Sequence, residues 1–396
     1  MRLPPLALAL FALIAGAAPA ASARKHRQKQ RRPRPVLLDR QILWRRDPAT
    51  GELRAVSAGA APRANTPAAS AGPRVMRVVT QTVRVTCIVS AEDGSAVPGL
   101  RRRDFRIFDD GVEHPIVFFD ASAQPASVAL VIDASPSVMR DSTEMKQAAA
   151  ALVGALAPLD QAAVVDFSAH TYLQLSFSDI REQILRAVER VSVTDLLSDT
   201  GGSNIYEAVY LTASRLFRGR TGRKAIVLLT DGQDSGLGLS LDPASAAPRP
   251  GQPDNRLTFD DVARLLAAQD IQVFAVSTEN RPRIMTPEWL AAHQSATLIS
   301  PDALRLGIPP YTLYLAELVR RAGGQLYFLN EAATVAETFR RIAEKIRAEY
   351  TLGFYPVSAS SAQAASPGWH ALRVALPGEP DIRVSNRAAY YVPAGP

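Results

Sequence analysis

VALVIDASPS, at residues 128–137, joins a wholly apolar run, Val128 to Ile132, to the polar string Asp133-Ala134-Ser135-Pro136-Ser137. Five apolar residues without alternation fit a strand covered on both faces, the habit of a parallel sheet packed between helices. Ala225 to Leu229 repeats that pattern, and Ile271 to Val276 and Gln325 to Leu329 are further strands. Ala163 to Phe167 and Tyr172 to Phe177 are spaced as a hairpin. Helical signals lie between these runs. Asp141 with Glu144 three residues on reads as a helix start, as does Thr258 with Asp261. From Asn204, residues Ile205, Ala208, Val209, Thr212, Ala213 and Leu216 form one stripe. Tyr311 to Arg321 and a segment bearing Val335, Phe339, Ile342 and Ile346 are helical as well. The alternation predicts an α/β fold, a doubly wound, mostly parallel six-stranded sheet of Rossmann-like type.

In such sheets ligands bind at the carboxyl ends of the strands, at a topological switch point. Three strings fall there: Asp133 to Ser137, Thr200-Gly201-Gly202-Ser203-Asn204 before a helix, and Thr230-Asp231-Gly232 after a strand. Together they supply two carboxylates and several hydroxyls, with neither imidazole nor thiolate. An all-oxygen set suits a hard divalent cation, and its sparse charge suits Mg²⁺, which keeps waters of its own.

The flanks follow a different rule. Val83, Val85, Cys87 and Val89 alternate with Thr82, Arg84, Thr86 and Ile88, a period-two strand with one apolar face. Cys87, the one cysteine in the chain, sits on that face as a buried thiol and excludes an internal disulfide or a thiolate cluster. Asp93-Gly94 marks a turn. Phe105 to Phe108 and Pro115 to Phe119 read as two more strands, separated by Asp109-Asp110-Gly111. Three strands do not make a stable domain alone. Thr351 to Tyr355, His370 to Leu376 and Ile382 to Val392 are available to complete it. The expectation is one small β-sandwich built from both ends of the chain and interrupted by the α/β domain.

The 396 residues carry 45 Lys+Arg and 38 Asp+Glu, a formal +7. Ten basic residues and one acid fall between Arg24 and Arg46, and once that stretch and Arg2 are set aside the remainder is at −3. Basicity therefore belongs to a tail, and a nucleic-acid-binding core, which needs clustered Lys/Arg on the domain itself, is not expected. Residues 1–23 have the form of a cleaved signal peptide: Arg2, an apolar run from Leu6 to Gly16, then Ala18-Pro19-Ala20 and Ala21-Ser22-Ala23. No later apolar stretch approaches the ~20 residues of a transmembrane helix, so the expectation after cleavage is a protein exported to the periplasm, secreted or envelope-associated. Residues 24–74 read as a basic and then Ala/Pro/Ser-rich disordered linker, with an apolar island from Val36 to Trp44 that could dock elsewhere. The basic run, residues 24–46, is either a solvated tail or an electrostatic attachment to an anionic envelope surface.

The Asp-x-Ser-x-Ser string, the Gly-Gly-Ser helix start and Leu-Leu-Thr-Asp-Gly resemble the metal ion-dependent adhesion site of von Willebrand factor A-type domains, over Ala126 to about Tyr350. Val97-Pro98-Gly99-Leu100, Asp104-Phe105, Asp109-Asp110-Gly111 and Tyr350 to Pro356 resemble the flanks of a bacterial exported subfamily. The resemblance implies Ser135 and Ser137 as direct metal ligands, with Asp133 and Asp231 direct or water-mediated. Ser203 stands where the family normally places Thr, and Thr200 is a fallback. Pro136 replaces a frequent Gly, and the Pro/Gly/Ser-rich insertion Gly236 to Arg256 could rim the site. The implied cofactor is Mg²⁺, with Mn²⁺ or Ca²⁺ as alternatives.

The resulting domain plan is a signal peptide (1–23), a linker (24–74), N-terminal strands (75–124), a von Willebrand factor A-like domain (125–350) and C-terminal strands (351–396) packing with 75–124. The functional expectation is a non-enzymatic adhesion module whose cation binds an Asp or Glu carboxylate of a protein partner. A metal-dependent hydrolase or phosphotransferase is the rival reading. Against it, neither a Gly-x-Ser-x-Gly elbow nor GxxxxGK[ST] occurs, and Asp133 lacks an acidic partner two residues on. His170 follows the strand Ala163 to Phe167, from where it could approach the site, and reads as a surface-loop residue. A structural envelope-assembly protein is the third reading.

Overall fold

A computed structural model describes residues 35–38, 42–47, 53–57, 82–122, 124–138, 142–191, 202–237, 256–293, 297–329, 335–356, 366–379 and 381–392. The signal-peptide segment, residues 24–34, Asp141, Thr200 and most of the 236–256 insertion lie outside them. Among the described residues no helix is long and apolar enough to cross a membrane.

Along the chain, β1 (Val36–Leu37), β2 (Ile42–Arg46) and β3 (Leu53–Ser57) come first, followed by β4 (Val83–Ser90), β5 (Arg106–Asp109), β6 (Val112–His114) and β7 (Phe118–Asp120). The alternating part runs β8 (Ala126–Asp133), α1 (Ser142–Ala155), β9 (Gln161–Phe167), β10 (Thr171–Ser178), α2 (Arg181–Arg190) and α3 (Ile205–Leu211), the last continuing as a π-helical turn over Thr212–Leu216. It goes on through β11 (Arg223–Thr230), α4 (Phe259–Gln269), β12 (Gln272–Ser277), α5 (Pro287–Ala292), α6 (Pro301–Arg305), α7 (Pro310–Ala322), β13 (Leu326–Phe328) and α8 (Val335–Arg347). The chain closes with β14 (Glu349–Phe354), β15 (Gly368–Ala375), β16 (Arg383–Asn386) and β17 (Ala389–Val392).

The central sheet has the order β1-β10-β9-β8-β11-β12-β13. Its six inner and far strands are those read from the sequence, and β8, β9, β11, β12 and β13 run parallel. Alternate residues of β8 enter different cores, as a two-sided strand requires. Val128, Leu130 and Ile132 join Leu152 of α1, Ile184 of α2 and Phe339 and Ile342 of α8. Ala129 and Val131 join Val209 of α3, Val262 and Leu266 of α4 and Leu318 of α7. The result is a sheet between two helical layers. Thr258 caps α4 as expected, accepting from the Asp261 N–H while the Asp261 carboxylate takes the Thr258 N–H.

The sandwich is also formed. One sheet is β16-β4-β14-β7 and the other β17-β15-β5-β6, with Val85, Cys87, Val89, Ile107, Leu352, Phe354, Leu372 and Val374 between them. Burial pushes the Cys87 thiol far up, consistent with an inert core residue. Phe105 to Phe119 gives three short strands where two were expected. Asp110 (φ 46°) and Gly111 (φ 83°) turn β5 into β6, and Pro115 follows β6, because it has no N–H to extend a ladder.

The reading of residues 24–74 as linker throughout needs correction. β1 pairs antiparallel with β10 and makes the sheet seven-stranded, while β2 and β3 form a hairpin. Leu38 and Leu53 are buried in the α3/α4 core, and Trp44 packs edge-on against Tyr210 at 5.2 Å. Arg46 makes a two-pronged contact with Asp261, at 2.8 and 2.9 Å. The apolar island docks, and one of the tail's arginines is spent on the fold.

Candidate metal centre

From β8 the chain moves outward to β9 and β10, then crosses back to β11 on the other side of β8. That reversal opens a crevice at the carboxyl ends of β8 and β11. Leu229 pairs with Ile132, so Asp133 and Asp231 leave the sheet side by side.

Asp133 is fully buried. Its Oδ1 accepts the Ser135 N–H at 3.0 Å, and its Oδ2 accepts the hydroxyls of Thr230 at 2.7 Å and Ser203 at 3.1 Å. The hydroxyl oxygens of Ser135 and Ser137 are 3.1 Å apart, and Ser137 donates to Asp231 Oδ2 at 2.8 Å. Asp231 Oδ1 takes the Gln233 N–H at 2.9 Å. The structure thus brings Asp133, Ser135, Ser137, Ser203 and Asp231 into one linked set. Four of the five are buried, and Ser137 forms the solvent side.

Local chemistry fixes each loop. Thr230 accepts the Gly232 N–H at 3.0 Å, and Gly232 adopts φ +89°, where a Cβ would be strained and would also meet the Tyr311 ring at 3.4 Å. The Ser203 carbonyl accepts the Ser235 N–H at 2.7 Å, and Asn204 ties its amide and side chain to the carbonyls of Ser168 and Ala169. Asp234 accepts from the amides of Tyr206 at 3.4 Å and Leu237 at 2.8 Å. It therefore sits at the start of α3, where a negative charge faces free N–H groups.

Burial pushes Asp133 up to about 6, and the Asp231 charge adds to this against the hydrogen bonds from Ser135 and Thr230. Among the described residues, the hydrogen-bond partners of the two carboxylates are neutral hydroxyls and backbone amides. A buried anion with only neutral partners is costly. An oxygen-only donor set around it fits a hard dication.

Thr230, Asp234, Ser235, Glu279 and Tyr311 also belong to this neighbourhood. Burial raises the Tyr311 phenol, with the Glu279 and Asp231 charges adding to it. Thr230, Asp234 and Ser235 lie within five residues of Gly232 and were visible as the string TDGQDS. Glu279, just past β12, had only its strand-end position as a signal.

Residues 127–283 match the family model of the von Willebrand factor type A domain. Among solved structures the chain resembles BatB from Bacteroides thetaiotaomicron, at 16% identity and a TM-score of 0.37, over 56% of this chain and 98% of that one. It also resembles a von Willebrand factor type A protein from Catenulispora acidiphila, at 14% identity and a TM-score of 0.36, over 81% and 75% of the two chains. A third is proximal thread matrix protein 1 of the mussel byssus, with a zinc-occupied MIDAS motif, at 15% identity and a TM-score of 0.39, over 60% and 49%. No curated protein matches the chain. The family match ends before α7, β13 and α8, although these complete the same sheet and its helical layers. Residues 127–283 are a von Willebrand factor type A domain, carried in this chain on a β-sandwich made from the segments that flank it.

Proposed function

We propose that this chain is an exported, non-enzymatic binding module that holds one divalent cation, Mg²⁺ or Mn²⁺, on Asp133, Ser135, Ser137, Ser203 and Asp231. The carrying observation is the linked oxygen set at the switch point, buried at Asp133 and open at Ser137. A bound dication would supply a centre that takes a carboxylate from a partner, since few anionic ligands neutralise it. Ser135 and Ser137 give neutral oxygens, Asp133 and Asp231 give the charge, and Thr230 holds Asp133 in place. Hydroxyl contacts of the three serines run to carboxylates and to each other rather than to an imidazole, which favours binding over acyl transfer. The pattern of residues 1–23 supports export, and the excess of basic residues over 24–46 supports attachment to an anionic envelope surface.

Isothermal titration of the full chain with Mn²⁺ tests the reading. One ion per chain is expected for wild type, with loss of uptake in Ser135→Ala/Ser137→Ala at unchanged fold. An Asp-containing peptide should then bind only with the metal present, and its Asn counterpart should not. Failure of correctly folded wild type to take up Mn²⁺ or Mg²⁺ overturns the proposal.

A further inference from the structure

The β-sandwich carries a second cluster of ligating side chains, far in sequence from the first. A carboxylate oxygen of Asp109, one of Asp110 and a ring nitrogen of His370 all lie within 4.8 Å of one another. Asp109 ends β5 and pairs with Leu372 of β15. Asp110 occupies the turn, its N–H donating to the Ala371 carbonyl at 2.8 Å while its Oδ1 accepts the Ala371 N–H at 2.8 Å. His370 precedes that residue on β15. Two adjacent strands thus hold all three side chains on a hydrogen-bonded frame.

Asp109 is the independent observation. It is only 7% exposed, its Oδ2 accepts the Tyr390 hydroxyl at 2.9 Å, and its Oδ1 is buried without a partner among the described residues. A buried carboxylate oxygen left bare is costly unless something electropositive meets it. His370 is arranged as metal-binding imidazoles are. Its Nε2 is 2.7 Å from the Ser366 carbonyl and donates to it, the kind of outer hydrogen bond that orients a metal-bound imidazole, while Nδ1 faces the carboxylates. Nδ1 lies 2.8 Å from Asp110 Oδ2, and the ring stacks on Tyr390 at 5.2 Å between centroids. Asp110, with a side chain 56% exposed, leaves an entry path.

We propose that Asp109, Asp110 and His370 form a second metal site, selective for a borderline transition-metal dication such as Zn²⁺. One nitrogen and two carboxylates are three ligands of a tetrahedral site with a fourth position open to water. Ligand atoms on a Zn²⁺ ion stand about 3.3 Å apart, so small side-chain rotations close this cluster on one ion, the Nδ1–H···Asp110 contact giving way to two bonds to metal as its proton is released to water. The imidazole separates this site from the oxygen-only set at the switch point, which suits harder cations.

The test titrates Zn²⁺ into the full chain carrying Ser135→Ala and Ser137→Ala, in excess Mg²⁺, so that the first site does not contribute. One Zn²⁺ per chain is expected, with X-ray absorption showing a single imidazole in an otherwise oxygen shell. His370→Gln added to that background should weaken Zn²⁺ binding by more than about tenfold. Should His370→Gln disturb the fold, the exposed Asp110→Asn serves in its place with the same expected loss. No Zn²⁺ uptake, or equal uptake with and without the cluster substitutions, overturns the proposal and leaves His370 as a bridge between a carboxylate and a carbonyl.

Discussion

Asp133 shows how one side chain is held for two tasks at odds with each other. It accepts three hydrogen bonds and so is fixed in place, yet none of its partners is charged. Its burial therefore burdens the fold, and the proposed dication would relieve it. Asp133→Asn should keep the acceptor toward the Ser135 amide and remove the buried charge. We expect it to abolish the rise in melting temperature caused by Mg²⁺ and to leave the metal-free melting temperature equal or higher; calorimetry with and without Mg²⁺ decides. A large fall without metal would mean that the carboxylate is a structural acceptor first. That the residues of the proposed first site lie together was legible because they come in short strings at the ends of apolar runs, where local order reports spatial order. Asp109 and His370 come together only through strand pairing over some 260 residues, a relation that no string carries.

At the scale of elements, α7 illustrates a buried charge that is fully answered. Glu317 has no exposed side-chain surface, and its carboxylate meets Arg320 at 2.7 and 2.8 Å, Arg321 at 2.8 Å and the Leu298 amide at 3.0 Å. Burial alone would raise its pKa, but the two guanidinium groups and the amide bring it down to about 2. A depressed carboxylate contributes stability above its unfolded pKa and loses it as pH falls through the folded value. This contribution, about 3 kcal/mol, should therefore be complete above ~4.5 and vanish toward pH 2. Glu317→Gln should lower stability at pH 7 by a comparable amount and flatten the acid limb between those values in urea titrations. An unchanged limb would assign acid sensitivity elsewhere. The elements hardest to read were β1 to β3. Ten basic residues in the surrounding stretch mask them in composition, and their partners, Tyr210 and Asp261, lie in helices far along the chain. Only the apolar island Val36 to Trp44 pointed there. The buried strands β8, β11 and β12 were plain, since nothing polar interrupts the faces they present to either core.

For the molecule as a whole, the sandwich is joined to the end of the sheet opposite the proposed cation site. Arg223, at the start of β11, donates to the carbonyls of Ser122, Ile346, Arg347 and Glu349 and pairs with the Glu349 carboxylate at 3.7 Å. Thr86 donates to Asp270 at 2.9 Å, and Arg387 reaches the carbonyls of Ala267 and Arg84. Removing Arg223 strands several buried acceptors at once. Arg223→Ala should cost about 3 kcal/mol or more in urea unfolding, with Mn²⁺ binding per folded chain unchanged; a change within about 0.5 kcal/mol would show that apolar contacts alone hold the seam.

The placement of Asp133 at the end of β8 and of Ser135 and Ser137 just beyond it, with the sandwich strand β7 just before β8, has a mechanical reading. A load applied between a captured partner and an anchored sandwich would travel along β8 itself. That strand is flanked by parallel neighbours, β9 and β11, paired with it from Ser127 to Asp133 and from Ala126 to Ile132. Tension along its axis would pull the two ladders lengthwise, straining all their bonds together, rather than peeling them open one after another. An adhesive contact at this site would therefore be resisted by the stiffest direction of the sheet, and stretching a single molecule from the partner end should break the metal-held contact before the strand slides.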